Sequence, residues 1–412
     1  MVDQRFHIVN LGCKVNRVEA DALAASLIAC GSKPVPEEDA DLIVVNTCTV
    51  TGEADKKARK AVRHALTVNP RARVVVTGCA VAIDPEEFAK LDGRVDIVQR
   101  AELVVSLTDC AQQERVSPAA SSARDARLRY GDGFRTRVGI KVQDGCDHAC
   151  TYCIVHVARG KAVSVPFAQA VAEARAYLRR GVKEVVLTGI DLASYRSGGM
   201  GLAQLTEAIL EEADAACEPG QLPARVRVSS IEPQTIDEEF IGLLARSDGR
   251  VCRHLHLPLQ SGSTRVLRQM ARPYTAEEYA QLIAHLRGLM PTIAITTDII
   301  CGFPGETDDD FQQTLDLARS SRFSKIHVFP YSLRAGTPAA ARTDQVPAQV
   351  KAQRAAQLRQ LSDSLRAADL AERKGTSELA IVEGATALTE SYHELPTPLG
   401  AAAGSLIPVV YE

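Results

Sequence analysis

Gly145-Cys146-Asp147-His148-Ala149-Cys150-Thr151-Tyr152-Cys153 is the stretch that decides how the chain is read. Its three cysteines stand in a CxxxCxxC arrangement directly after Arg137–Val142, an apolar run that predicts a strand. The motif therefore lies in the loop leaving that strand. Thiolates are the usual ligands of iron–sulfur clusters, and a four-iron cluster ordinarily takes four of them. Three leave one iron open to a ligand from outside the protein. Zinc with His148 or His156 as fourth ligand is the competing assignment. Closed zinc sites, however, pair two CxxC-like arms, and no second arm is present.

Outward from the motif the chain alternates. Strand candidates at Arg137–Val142, Glu184–Thr188, Arg225–Ser229, His254–Leu257, Ile293–Ile300 and Ile326–Tyr331 are separated by helical stretches. Those helices fall near 166–180, 201–215, 235–245, 275–288 and 307–320. Six such units predict an α/β fold, an incomplete version of the eight-unit barrel, with chemistry at the carboxyl ends of its strands. Four strand-end segments are Thr188-Gly189-Ile190-Asp191, Ser229-Ser230-Ile231-Glu232-Pro233, Leu259-Gln260-Ser261-Gly262 and Cys301-Gly302-Phe303-Pro304-Gly305-Glu306. Singly, each reads as an ordinary barrel turn.

Residues 6–109 predict a separate parallel α/β sheet, with strands at Phe6–Leu11, Leu42–Asn46, Arg73–Thr77 and Val95–Val98. Helices are expected near 17–30, 54–67 and 84–91. Cys13, Cys48 and Cys79 follow the first three strands, so such a sheet gathers them on one edge. The alternative is that each is a small buried hydrophobe. Residues 110–133 read as a linker, and Arg124, Arg127 and Arg129 within it are candidate phosphate contacts. A helix near 347–373 and short strands from Glu378 complete the chain. The expected domains are 1–109, 110–133, 134–374 and 375–412.

Composition narrows the function classes. No apolar run approaches the roughly 20 residues of a membrane span, and Met1–Arg5 lacks a signal-peptide core. Eleven cysteines in a chain expected to be cytoplasmic favour metal or redox chemistry over crosslinks. A net charge of −3 announces no general nucleic-acid affinity, so any such contact must be local. Lys56, Lys60 and Arg63, with Lys57 and Arg59 nearby, form one basic stripe at helical spacing. A solvated helix face is the plainer account of it.

CxxxCxxC with an aromatic before the last cysteine, after the first strand of a six-unit barrel, resembles the radical-SAM superfamily. The resemblance implies a four-iron cluster on Cys146, Cys150 and Cys153 that binds and cleaves S-adenosylmethionine (SAM). It also implies cofactor contacts from Tyr152, Gly189, Ser229, Glu232 and Gln260. Asn10-Leu11-Gly12-Cys13-Lys14-Val15-Asn16, Asn46-Thr47-Cys48-Thr49-Val50-Thr51 and Thr77-Gly78-Cys79 are similar to motifs of the methylthiotransferases. That family joins an α/β domain and a radical-SAM barrel to a small TRAM β-domain, which Thr389-Glu390-Ser391-Tyr392 resembles. In the family a second four-iron cluster sits on three cysteines, at the positions of Cys13, Cys48 and Cys79 here.

Cys13-Lys14-Val15-Asn16 looks like the MtaB-type branch, which implies methylthiolation of C2 of N6-threonylcarbamoyladenosine at tRNA position 37. Implied partners are tRNA and an electron donor such as flavodoxin or ferredoxin, with the sulfur donor unassigned. Sister branches modify isopentenyl-adenosine in tRNA or an aspartate of a ribosomal protein. A zinc- or RNA-binding protein without catalysis is the alternative of another class. The loop departs from the family at Val155-His156, where many relatives carry Ile-Pro, and at Ala162-Val163-Ser164; Arg159-Gly160 is kept.

Overall fold

A computed structural model describes residues 4–49, 51–100, 102–107 and 136–412. Cys110, Arg124, Arg127 and Arg129 lie outside the described residues. The chain forms two compact units. The first is Met1–Phe134 with the segments Asp144–Asp147 and Ile154–Lys161, and the second is the remainder.

The first unit is built on a five-stranded sheet: β1 (Arg5–Asn10), β2 (Lys33–Pro34), β3 (Leu42–Thr47), β4 (Arg73–Gly78) and β5 (Val95–Ile97). The strands run in the order β2-β1-β3-β4-β5, and each neighbouring pair is parallel. Every residue of β3, Leu-Ile-Val-Val-Asn-Thr, is buried. Side chains alternate faces along a strand, so a continuous apolar run serves a sheet covered on both sides. Ile43, Val45, Val74 and Val76 pack with Ala58, Val62 and Ala65 of α2 (Gly52–Val68). Leu42, Val44 and Val75 turn the other way, onto Leu23 and Leu27 of α1 (Lys14–Ala29). Thr51 caps α2 by accepting the Ala54 amide at 3.1 Å. The short β2 has no periodicity and was not legible as a strand.

The second unit holds six parallel strands: β6 (Val138–Lys141), β7 (Glu184–Thr188), β8 (Arg225–Val228), β9 (His254–His256), β10 (Ala294–Cys301) and β11 (Lys325–Pro330). They pair as two three-stranded halves, β6-β7-β8 and β9-β10-β11. Parallel bridges Val226↔Val251 and Ser230↔His256 carry the order from one half to the other. The expected six strands are therefore present, in sequence order. Phe167–Leu178, Leu202–Ala215, Glu238–Arg246, Ala276–Leu289 and Asp308–Ser321 are the expected helices. Thr264–Gln269 is an additional one, capped by Ser263.

Four antiparallel strands end the chain: β12 (Ser377–Val382), β13 (Thr386–Thr389), β14 (Glu394–Pro396) and β15 (Leu406–Val410), in the order β14-β13-β12-β15. They belong to the same unit as the six-stranded core, and buried arginines join the two. Arg225 of β8 donates to the carbonyls of Leu379 and Leu388, and Arg227 to those of Thr389 and Glu390. Both also pair with Glu184 of β7, and all three side chains are fully buried. This sheet thus closes the amino-terminal end of the parallel strands.

Candidate functional site

The edge of the first unit's sheet gathers three cysteines. Cys13 follows β1 and precedes α1, Cys48 follows β3, and Cys79 opens the short helix α3 (Cys79–Ile83) after β4. β1, β3 and β4 are adjacent, with Asn10↔Asn46↔Thr77 in register, so the thiols leave neighbouring strand ends. Gly12 lets them approach: its φ is +114°, and a Cβ there would lie 2.5 Å from the Cys48 Cβ and 2.7 Å from its Sγ.

Two arginines serve the Cys79 sulfur. Arg159 Nε and Arg100 Nη1 each lie 3.2 Å from its Sγ. Arg159 comes from a five-residue helix, Val155–Arg159, where sequence had placed only loop. Its guanidinium also donates to Asn16 Oδ1 at 2.5 Å, Glu19 Oε1 at 3.0 Å and Asp144 Oδ1 at 2.8 Å. Burial pushes the Cys79 thiol up, and the charges of Arg159 and Arg100 oppose that rise. The neighbouring Gly145 holds the loop tight, for at φ +71° its Cβ would meet the Lys161 carbonyl at 1.9 Å.

In the second unit, Cys150 is buried and Arg272 Nη1 lies 3.4 Å from its sulfur. Arg272 also pairs with Glu232 and donates from Nε to the Tyr274 hydroxyl at 3.1 Å. Thr151 anchors this segment through its amide on the Met270 carbonyl (3.0 Å) and its hydroxyl on the Gln269 carbonyl (2.9 Å). Tyr152 packs against the apolar cluster of Val266, Met270, Ile300, Phe303, Tyr331 and Ala339, as Phe329 also does.

The other expected contact residues sit at the carboxyl ends of strands. Gly189 crowds Gln143, whose Oε1 accepts the amides of Ile190 (2.9 Å) and Asp191 (2.8 Å). Ser229 Oγ lies 3.4 Å from Thr188 Oγ1. Gln260 adopts φ +67°, unusual for a residue with a side chain. Hydrogen bonds hold it there, from its amide to the Asp298 carbonyl (2.8 Å) and from the Ile300 amide to its own carbonyl (2.9 Å). Asp191 is buried beside His148 (3.3 Å), and its Oδ1 has no hydrogen-bond partner among the described residues. Burial and the Glu232 charge push its carboxyl up, while His148 holds it down.

Residues 140–318 match the Radical SAM superfamily, and residues 5–99 match UPF0004, described as an uncharacterized protein family. The threonylcarbamoyladenosine tRNA methylthiotransferase MtaB of Bacillus subtilis (strain 168) is 39% identical over 89% of this chain and 81% of its own length. The chain belongs to the MtaB family of radical SAM methylthiotransferases. MtaB of Treponema pallidum is 33% identical over 98% of this chain and 97% of its own length. A sister enzyme, the tRNA-2-methylthio-N(6)-dimethylallyladenosine synthase of Nocardia farcinica, is 36% identical over 92% and 78%. Among solved structures, the radical SAM methyltransferase TsrM of Kitasatospora setae shares the fold, at a TM-score of 0.58 and 18% identity. That likeness covers 82% of this chain and 77% of TsrM.

Membership in the MtaB family brings SAM and a four-iron cluster with it, and the donors suit both. Arg100 and Arg159 aim N–H groups at the Cys79 sulfur and Arg272 at that of Cys150, donors that suit sulfurs ligating iron. The unpartnered Asp191 oxygen suits an ammonium group such as that of SAM.

Sequence reasoning missed Arg100 and Arg272, and it kept Arg159 only as part of a motif. Arg265, just beyond the Leu259-Gln260-Ser261-Gly262 segment, is held by Asp310 and the Gly305 carbonyl. Cys252 and Cys301 are fully buried, and burial pushes their thiols up to about 11 and about 12, as befits packing residues. Lys56, Lys57, Lys60 and Arg63 are exposed on α2, whereas Arg59 is half-buried and pairs with Glu87 at 3.0 Å. No described helix is long and apolar enough to cross a membrane.

Proposed function

We propose that this protein adds a methylthio group to C2 of N6-threonylcarbamoyladenosine at tRNA position 37. The observation that carries the reading is the meeting of Cys13, Cys48 and Cys79 at three adjacent strand ends, in a chain that also bears the CxxxCxxC loop. In this reading Cys146, Cys150 and Cys153 hold one four-iron cluster, and Cys13, Cys48 and Cys79 hold a second. When bound, the first cluster supplies the electron that splits SAM into methionine and a 5′-deoxyadenosyl radical, which can take the unactivated C2 hydrogen.

The protein's own residues bind and orient. Arg272 clamps Glu232 and backs the Cys150 sulfur, fixing the carboxylate within the cofactor site. Asp191 receives the ammonium of SAM, and Tyr152 lies against its adenine. Gly189, Ser229 and Gln260 line the remaining strand ends. Arg159 and Arg100 hold the Cys79 sulfur for the second cluster. The exposed lysines of α2 meet tRNA phosphates. Flavodoxin or ferredoxin in the cytoplasm delivers the electron.

Nucleoside mass spectrometry of tRNA from cells lacking the gene tests this. The 2-methylthio derivative should vanish, return with the wild-type gene, and stay absent with Cys146, Cys150 and Cys153 all changed to Ala. An unchanged nucleoside in the deletion strain refutes the substrate.

A further inference from the structure

Thr151 stands between Cys150 and Cys153, and each of its polar groups is taken by a segment far along the chain. Its amide donates to the Met270 carbonyl at 3.0 Å, and its hydroxyl to the Gln269 carbonyl at 2.9 Å. Its own carbonyl accepts the Ala339 amide at 2.9 Å. Ala339 lies in the short helical turn Pro338–Ala341, which follows β11, and it is fully buried. It belongs to the apolar cluster against which Tyr152 packs. The cysteine loop is therefore pinned by two segments that hold no cysteine themselves.

Arg342 ties those two segments together. Its Nη1 donates to Gln269 Oε1 at 3.0 Å, and so reaches the residue whose carbonyl holds the Thr151 hydroxyl. Its Nε and Nη2 form a fork on Asp344, at 2.9 and 2.5 Å. The guanidinium also lies 5.5 Å from the centre of the Phe303 ring, another member of the Tyr152 cluster. Gly305 makes room for the pair: a Cβ there would lie 2.5 Å from Asp344 Oδ2 and 2.6 Å from Arg342 Nη2. Arg342 and Asp344 keep 27% and 48% of their side chains exposed. Ion pairs open to solvent to this degree add little stability, so the arrangement fixes geometry more than it strengthens the fold.

We propose that the segment from Pro338 to Asp344 is a clamp on the cysteine loop, in which Thr151 and Arg342 are positioning residues that preset Cys150 and Cys153 for a cluster able to take SAM. The inference rests on the reading above that Cys146, Cys150 and Cys153 hold the SAM-cleaving cluster. Two of those three sulfurs flank Thr151, so a shift of its backbone carries both. Groups held in advance bind without first being ordered, and a displacement of about 1 Å can cost about 100-fold in rate. Thr151 supplies the contact to the loop, and Arg342 keeps its two anchoring segments in register. Neither side chain needs to touch SAM to act in this way.

Two measurements test the clamp. In the iron-free chain, hydrogen exchange is read on peptides covering residues 149–153. Arg342→Ala and Thr151→Val should each speed exchange there about 10-fold, the loss of one hydrogen bond, and leave peptides of β10 at wild-type rates. The reconstituted holoenzyme is then reduced and titrated with SAM, followed by its electron paramagnetic resonance spectrum and by 5′-deoxyadenosine formation. Half of the spectral change should need about 10-fold more SAM in both variants, with KM for SAM raised alike and kcat little changed. Thr151→Ser keeps the hydroxyl and should match wild type, while Arg342→Lys cannot form the fork and should lie between Arg342→Ala and wild type. Thr151→Val keeps the shape of the side chain and carries the test even where Arg342→Ala fails to fold. Wild-type half-saturation in Thr151→Val and in any folded Arg342→Ala overturns the clamp alone, whatever the exchange of the loop. Exchange that rises equally in β10 and in the loop, in step with a lower thermal midpoint, also overturns it, because it describes general loosening. A wild-type spectrum that ignores SAM overturns the cluster reading and this inference together.

Discussion

Arg159 Nε lies 3.2 Å from the Cys79 sulfur, although eighty positions separate the two residues in sequence. The same guanidinium joins Asn16, Glu19 and Asp144. One side chain therefore ties the loop after the CxxxCxxC motif to the cysteine edge of the first unit.

Replacing Arg159 should uncouple that edge from its support. Arg159→Ala leaves Glu19 and Asp144 without their buried partner, a loss of about 3–5 kcal/mol. Arg159→Lys keeps the charge but not the forked geometry, and should recover only part. Iron analysis after anaerobic reconstitution should show Arg159→Ala falling toward half the wild-type content. Full iron loading in the alanine variant would contradict the role.

Gly12→Ala should act on the same edge through space rather than charge. The added Cβ would lie 2.5 Å from the Cys48 Cβ, on a backbone at φ +114°. The strain is about 1–3 kcal/mol, and relief requires Cys48 to move. Thermal unfolding and iron content should both decline, and wild-type values for both would refute the close approach.

Arg272 makes the corresponding test in the second unit. Arg272→Ala strands Glu232 and removes the donor at the Cys150 sulfur. The reductive cleavage of SAM, followed as 5′-deoxyadenosine, should drop at least about 10-fold. Glu232→Gln should also lose activity, because it leaves the buried Arg272 charge without its carboxylate. Wild-type cleavage by Glu232→Gln would argue against the pairing.

Acid should weaken the second unit through Glu184. Burial alone would raise its carboxyl, but Arg227 and Arg225 outweigh burial and hold it at about 2, below its ordinary 4.5. A depressed folded-state value contributes stability that is complete above pH 4.5 and is lost as pH falls toward 2. Urea midpoints should therefore decline steeply in that window. Glu184→Gln should be less stable at neutral pH and show a flatter acid dependence. A variant as steep as wild type would assign the acid sensitivity elsewhere.

Much of this architecture is legible in the sequence because it is local. The run Leu42-Ile43-Val44-Val45 can serve only a sheet buried on both faces, and the cysteines follow their strands directly. The six strands of the second unit stand out for the same reason. What is not legible depends on partners far away along the chain. Arg100, Arg159 and Arg272 reach sulfurs across 21, 80 and 122 positions, and no periodicity encodes such contacts. The left-handed backbone at Gln260 is likewise imposed from outside, by hydrogen bonds to Asp298 and Ile300. One hint was available: an arginine beside Gly160, in a cysteine loop, has reason to be there beyond solubility.

The central claim is a division of labour between two sets of three cysteines. Its most direct measurement pairs 5′-deoxyadenosine formation with methylthio transfer to tRNA, in reconstituted enzyme supplied with SAM and reductant. With Cys13, Cys48 and Cys79 changed to Ala, SAM cleavage should persist while methylthio transfer disappears. With Cys146, Cys150 and Cys153 changed to Ala, both should disappear. Methylthio transfer by the first variant, or SAM cleavage by the second, would contradict the account.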